Sequence, residues 1–147
     1  MRHHHGRKPA RAHGPAQQIE KPRLHADIEP GAPVHLWEGV SFADGVPIAL
    51  FRSVFPARRL PGPPEALEDT HSATAALAQC GVHDYTRRWT RPSAEAADAT
   101  QALHLRCARG APLLRTVSLN QDPDGRPVEY GRIWFAGARI QLRVDGD

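Results

Sequence analysis

The stretch "GRPVEYGRIWFAGARIQLRV", residues 125–144, carries the clearest indication of the fold. Its Gly-Arg-Pro opening is typical of a turn, and the valine, tyrosine, isoleucine, tryptophan and phenylalanine that follow are typical of a strand. The preceding "LLRTVSLNQ", residues 113–121, predicts the other strand of an antiparallel hairpin. A further strand is expected in "ARIQLRV", residues 138–144, after a turn at Gly137.

Working outward, residues 34–42 and 47–55 predict a first hairpin that turns at Asp44-Gly45. A helix is expected over residues 69–82 and a second over residues 94–105, with a strand over residues 84–94 between them. Pro92 cannot donate a backbone hydrogen bond, so this strand is expected at an edge or a bulge. The order β-β-α-β-α-β-β-β predicts the α+β class: an antiparallel sheet with helices packed on one side.

Composition excludes several classes of protein. The chain is 40% hydrophobic, and no apolar run approaches the roughly 20 residues of a membrane helix. The start has no apolar core of a signal peptide, so a cytoplasmic protein without membrane contact is expected. Cys80 and Cys107 are too few for a disulfide framework. Neither a glycine-rich phosphate loop nor a metal-ligand spacing occurs, so no cofactor and no metal are expected.

The positive charge is concentrated at the start of the chain. Six basic residues and one acidic residue lie before residue 24, whereas the rest holds 13 basic and 15 acidic residues. Residues 1–29 therefore predict a basic, flexible N-terminal tail or linker, and residues 30–147 a folded domain. A basic tail can also contact nucleic acid, which leaves a nucleic-acid-binding protein as one alternative.

The start of the first predicted helix is a candidate anion site. Ser72 and Thr74 lie where unpaired backbone N–H groups and the helix dipole favour a negative charge. Their hydroxyls can bind a phosphate-like group, or they can simply cap the helix. The residues alone leave both interpretations open.

The last hairpin carries a candidate ligand-binding carboxylate. Strand alternation puts Glu129 on one face with Ile133 and Phe135, and Tyr130 and Arg132 on the other. A carboxylate beside an apolar wall suits a ligand that bears hydroxyl or amine groups. The alternative is that these charges are solvated and pair across strands.

Arginines recur in the predicted strands. The same alternation predicts that Arg87 and Arg91 share a face with Trp89, while Arg88 points the other way. These arginines can line a binding site or form ordinary cross-strand ion pairs.

Three stretches in this order resemble the UTRA domain, the effector-binding half of bacterial transcription regulators of the GntR/HutC type. They are "GAPVHLWEGVSFADGVPIAL" (31–50), "HSATAALAQCGVHDYTRRWTR" (71–91) and "ATQALHLRCARGAPLLRTVSLNQDPDGRPVEYGRIWFAGARIQL" (99–142). The Glu-Tyr-x-Arg-x-x-Phe-Ala-Gly hairpin is similar to that of the regulators of phosphonate uptake and metabolism. The resemblance covers roughly residues 30–144.

The resemblance implies a chorismate-lyase-like fold with a pocket for a small effector. Occupancy of the pocket would alter DNA binding by a winged-helix domain, usually within a homodimer. By the same resemblance, Ser72 and Thr74 hold a phosphate, and Glu129 and Phe135 line the pocket. Residues 1–29 are too few and too polar for a winged helix, so DNA contact is expected only through a domain absent from this chain.

The sequence departs from the family pattern on its first strand. Many relatives have arginines at the positions of Gly39 and Ser41, of which Ser41 remains a candidate ligand-binding residue. If the effector is anionic, Arg52 or Arg91 would supply the positive charge that binds it. Otherwise the effector belongs to another class of ligand.

The expected function is a sensor for a small anionic metabolite such as a phosphonate or organophosphate. The alternative is an enzyme like chorismate lyase, which would recruit Arg87, Arg91 and Glu129.

Overall fold

The computed structural model describes residues 31–60 and 62–146, and the predicted tail, residues 1–29, lies outside them. The described part folds into five strands and three helices. The strands are β1 (Val34–Ala43), β2 (Val46–Pro56), β3 (Thr86–Ala96), β4 (Pro112–Gln121) and β5 (Pro127–Ala136). The helices are α1 (Pro63–Thr70), α2 (Ala73–Gln79) and α3 (Ala99–Leu105).

The strands form one antiparallel sheet in the order β1-β2-β5-β4-β3. The β4–β5 hairpin is present as predicted, and β5 lies at the centre of the sheet, paired with β2 on one side and β4 on the other. The β1–β2 hairpin turns at Asp44 and Gly45, whose φ angles of 48° and 76° fit the turn that an Asp-Gly pair favours. The predicted turns at Asp44-Gly45, before β5 and at Gly137 are all present.

Helices cover both faces of the sheet. Helices α1 and α2 pack on the face that carries Trp37, Phe51 and Ile133, called here the α2 face. Helix α3 packs on the opposite face, with Leu50 and Trp134, called here the α3 face. The prediction that all helices lie on one side is wrong. Because the central strands carry apolar side chains on both faces, each face needs a cover.

The predicted strand over residues 138–144 is absent, and the chain beyond the turn after β5 is irregular. Both edges of β5 are already hydrogen-bonded, so the following residues cannot pair beside it. Arg139 fastens this segment instead. Its Nη1 donates to the carbonyls of Pro47 at 2.8 Å and Leu105 at 2.5 Å, and its Nη2 donates to that of Arg106 at 2.8 Å.

A β-bulge changes the facing of the β3 arginines. The register shifts between Arg87 and Trp89, so that Arg87 lies opposite Asn120 on the α2 face, whereas Trp89 and Arg91 lie on the α3 face. The prediction that Arg87 and Arg91 share a face is therefore wrong. The edge position predicted for the strand with Pro92 is confirmed.

Across the described ranges, no helix is long and apolar enough to cross a membrane.

Replacing Arg139 by methionine keeps the aliphatic stem and removes three hydrogen bonds. Because these bonds join the start of β2, the end of α3 and the chain after β5, the free energy of unfolding should fall by about 2 kcal/mol. Urea unfolding followed by circular dichroism measures the loss. Arg143→Met is the control, since its ion pair with Asp145 is exposed and should contribute less than about 0.5 kcal/mol. Equal stability of the two variants would contradict this role of Arg139.

Asp122 should make the stability depend on acid pH. Burial alone would raise the pKa of this carboxyl group, but the Arg126 N–H and the Arg59 guanidinium both bond it and hold its pKa below the usual value. Its ionised form therefore stabilises the folded state at a pH above the unfolded pKa of about 4, and this stabilisation is lost as the pH falls through the lower folded pKa. Asp122→Asn should lower stability at neutral pH and flatten the acid dependence.

Urea unfolding at a series of pH values between 8 and 2 measures both effects. The exposed Asp124→Asn is the control and should leave the curve unchanged. Burial lowers the pKa of His35 despite a backbone hydrogen bond at Leu60 that acts the other way. Protonation of His35 in the unfolded state therefore lowers the stability of the fold as the pH falls below about 6.5. This is above the pH range in which Asp122 acts. An unaltered acid dependence in Asp122→Asn would refute the assignment.

Candidate functional site

A patch of polar side chains lies buried in the middle of the otherwise apolar α2 face. Gly131 lies between Ser53 on β2 and Ser118 on β4 in the pairing of the sheet, and Asn120 lies opposite Glu129. Thr116 is the next residue of β4 on this face, and the patch is called here the polar floor. Its members are Ser53, Thr116, Ser118, Asn120, Glu129 and Gly131.

The carboxylate of Glu129 is held in one orientation by its neighbours. Oε1 accepts a hydrogen bond of 2.8 Å from the Ser53 hydroxyl, and Oε2 accepts one of 3.1 Å from the Asn120 amide. The Asn120 carbonyl oxygen in turn accepts a bond of 2.7 Å from Nε of Arg87, whose Nη1 donates to Thr90 at 3.0 Å. Each carboxylate oxygen has two lone pairs, so Glu129 can still accept hydrogen bonds from a ligand.

Two hydroxyls of the polar floor lack a protein partner. Thr116 and Ser118 are each only 6% exposed. Within residues 31–60 and 62–146, neither hydroxyl forms a hydrogen bond. Neither hydroxyl oxygen is fully enclosed, so each stays open to water and can hydrogen-bond to a polar ligand seated on the floor.

The start of α2 lies toward the same end of the sheet as Glu129. Ser72 is the N-cap, and its hydroxyl accepts a hydrogen bond of 3.3 Å from the Ala75 N–H. The hydroxyls of Thr74 and Tyr85 share a hydrogen bond of 2.7 Å. Tyr85 directly precedes β3, two residues from Arg87, so this bond ties α2 to the Arg87 end of that strand. The structure shows Ser72 as a helix cap, which is one of the two roles that the sequence leaves open.

Phe135 and Ser41 lie at the other end of the α2 face. The pairing of β1, β2 and β5 puts both opposite Ala49. Phe135 is six residues along β5 from Glu129, a separation of about 20 Å in an extended strand. The structure therefore keeps the predicted facing of Glu129 and Phe135 but does not bring them into contact.

Arg52 and Arg91 lie on the α3 face. Arg52 forms an ion pair with Glu38, and the Arg91 guanidinium stacks 4.5 Å from the centre of the Trp89 ring. Since the sheet separates both guanidiniums from Glu129, the structure does not bring these two predicted residues to the polar floor. Arg87 lies on the α2 face instead, through the bulge in β3.

Sequence reasoning missed most of the polar floor, although a signal was present. Ser118 and Asn120 alternate with the apolar Val117 and Leu119 along a central strand, and Ser53 lies between Phe51 and Phe55 on the same face. Polar residues at the inward positions of a central strand indicate a site rather than a core.

The polar floor suits an organic ligand held by hydrogen bonds. In the part of the chain that the structure describes, no group of three or more histidine, cysteine, aspartate or glutamate residues could hold a metal ion.

Comparison with known proteins identifies the family. Residues 15–141 match the model of the UTRA domain, and the match begins within the predicted tail. An uncharacterized HTH-type transcriptional regulator of Rhizobium meliloti, RB1450, is 37% identical over 118 residues, which are 80% of this chain and 48% of that protein. The chain thus spans about half the length of this curated relative.

Solved structures share the fold. The crystal structure of PhnF from Mycobacterium smegmatis superposes with a TM-score of 0.71 at 26% identity, over 82% of this chain and 53% of that chain. A GntR-family transcriptional regulator from Enterococcus faecalis superposes with a TM-score of 0.67 at 22% identity, over 81% of this chain and 85% of that chain. The predicted α+β fold with its antiparallel sheet is confirmed. Because the family model matches most of its length, this chain belongs to the UTRA domain family.

Proposed function

We propose that this chain is the effector-sensing domain of a GntR-type transcription regulator. It binds a small anionic metabolite that also carries hydrogen-bond donors, on the polar floor beneath α2. The observation that carries this proposal is the half-buried Glu129 carboxylate, which is oriented by the buried side chains of Ser53 and Asn120.

The Glu129 network is better suited to binding than to holding the fold together. It connects strands β2, β4 and β5, which are already joined by their backbone ladders. Withdrawing even a half-buried carboxylate from water offsets part of what its hydrogen bonds contribute, so the network adds little to stability. A fixed carboxylate and two unpartnered hydroxyls, however, are preorganised for a ligand and lose little entropy when it binds.

Arg87 supplies the positive charge that binds an anionic ligand. Its five N–H donors exceed the two hydrogen bonds that it makes to Asn120 and Thr90. The adjoining start of α2, with Ser72 and Thr74, offers hydroxyls to the same anionic group. A phosphonate or an organophosphate fits this pairing of charge and hydroxyls, and the resemblance of the last hairpin to that of phosphonate-metabolism regulators supports the same class.

Regulation then follows by a shift of populations. The effector favours one arrangement of a homodimer, and that arrangement changes DNA binding by a winged-helix domain outside this chain. The protein acts in the cytoplasm and has no catalytic role. A chorismate-lyase-like enzyme remains the alternative, but of the two arginines that such a reaction would recruit, Arg91 lies on the face opposite Glu129.

Phosphonates and phosphate esters should raise the melting temperature of the full chain. Stabilisation follows RT ln(1 + [L]/Kd), so a ligand at 100 times its Kd contributes about 2.7 kcal/mol, a shift of several degrees. A thermal-shift panel contains hydroxymethylphosphonate, glycerol 3-phosphate, glucose 6-phosphate and chorismate, with sulfate as the control anion. Stabilisation by none of the phosphorus compounds would overturn the proposal. Release of 4-hydroxybenzoate from chorismate would favour the enzyme.

Arg87→Met should weaken binding of the stabilising ligand by about tenfold or more, because a charge-assisted hydrogen bond to the anion is lost. Arg91→Met is the matched control on the same strand, and it should leave the affinity unchanged because Arg91 lies on the α3 face. Isothermal titration calorimetry measures both affinities. A larger loss in Arg91→Met than in Arg87→Met would put the anion on the wrong face for this proposal.

A further inference from the structure

Gly131 occupies the centre of the polar floor without any need for a glycine backbone. Its φ angle lies outside the left-handed region, in contrast to Gly45 and Gly125 in the turns. Glycine in the interior of a strand costs roughly 0.5–1 kcal/mol relative to alanine. Such a glycine often marks a place where another group approaches the backbone closely.

The absence of a side chain at Gly131 leaves a small space on the floor, called here the recess. A Cβ atom built on Gly131 lies 3.1 Å from the Ser118 hydroxyl oxygen and 4.0 Å from Oε1 of Glu129, with no third contact within 4 Å among the described residues. The recess is therefore bordered by one hydroxyl and one carboxylate oxygen. Ser118 is one of the two hydroxyls without a protein partner.

The hydrogen-bonding properties of Ser118 and Glu129 determine which ligand group fits the recess. A carboxylate only accepts hydrogen bonds, whereas a serine hydroxyl both donates and accepts. A ligand hydroxyl can donate to Glu129 and accept from Ser118 at the same time. An anionic phosphonate oxygen is repelled by Glu129 at this point, and an alkyl group leaves Ser118 unpaired.

We propose that Gly131 is the specificity-determining residue of the effector site, and that the recess above it receives a carbon-bound hydroxyl of the effector. This inference rests on the proposed function. It narrows the ligand class to hydroxyl-bearing phosphonates or phosphate esters, oriented with the anion toward Arg87 and the hydroxyl toward Gly131.

Two pairs of probes of similar size separate the hydroxyl from the rest of the ligand. They are hydroxymethylphosphonate with ethylphosphonate, and glycerol 3-phosphate with propyl phosphate. The wild-type chain should bind the hydroxyl-bearing member of at least one pair more tightly by about tenfold or more, measured by isothermal titration calorimetry. Gly131→Ala should bind both members of that pair equally, and no more tightly than the wild type binds the alkyl member, because the methyl group fills the recess.

Urea unfolding of each variant separates binding from folding. Gly131→Ala brings its methyl group close to the Ser118 oxygen, so the double variant with Ser118→Ala relieves that contact and should regain stability without regaining the preference for the hydroxyl. A preference that survives in Gly131→Ala, or equal binding of both members to the wild type, overturns this inference and leaves the proposed function standing. Failure of the wild type to bind any of the four probes or glucose 6-phosphate overturns both.

Discussion

The double pairing of β5 is the constraint on which the rest of the structure depends. This strand is hydrogen-bonded to β2 along one edge and to β4 along the other, and both registers bring Ser53 and Ser118 beside Gly131. Because successive side chains alternate between faces, a slip of one residue would turn Glu129 away from Asn120 and Ser53. The polar floor exists only in this register. Because both edges of β5 are paired, the residues after it cannot add a strand beside it. The hydrogen bonds of Arg139 hold them against β2 and α3 instead.

The charged residues have different roles on the two faces of the sheet. On the α3 face, the guanidiniums of Arg91 and Arg132 lie over the rings of Trp89 and Tyr130, at 4.5 Å and 5.6 Å from the ring centres. These stacked arginines shield aromatic surface. On the α2 face, Arg87 is hydrogen-bonded to Asn120, which in turn bonds the half-buried carboxylate of Glu129. On the α2 face, a cation, a carboxylate and two unpartnered hydroxyls lie beside buried polar side chains at the centre of the sheet, which is why we propose that face for ligand recognition.

Local patterns predicted local features well. The Asp-Gly turn, the edge position of the strand with Pro92 and the facing of Glu129 all follow from backbone chemistry within a few residues, and the structure contains each of them. The family resemblance came from the order of three stretches and is confirmed by the comparisons. The facing of Arg87 failed because a bulge adds one residue to β3 opposite β4, and nothing in "DYTRRWTR" marks where that residue lies.

The sequence by itself determined the class of fold, the turns and the alternation that gives each strand two distinct faces, because these depend on near neighbours along the chain. Only the tertiary structure decided which strands became neighbours, and therefore which polar residues meet. Ser53 and Glu129 are 76 positions apart in the chain, yet they share a hydrogen bond of 2.8 Å. Arg52, one residue before Ser53, points to the opposite side of the sheet. Alternation along β2 puts these two neighbours on opposite faces, but only the tertiary structure decides which of the two faces carries the polar floor.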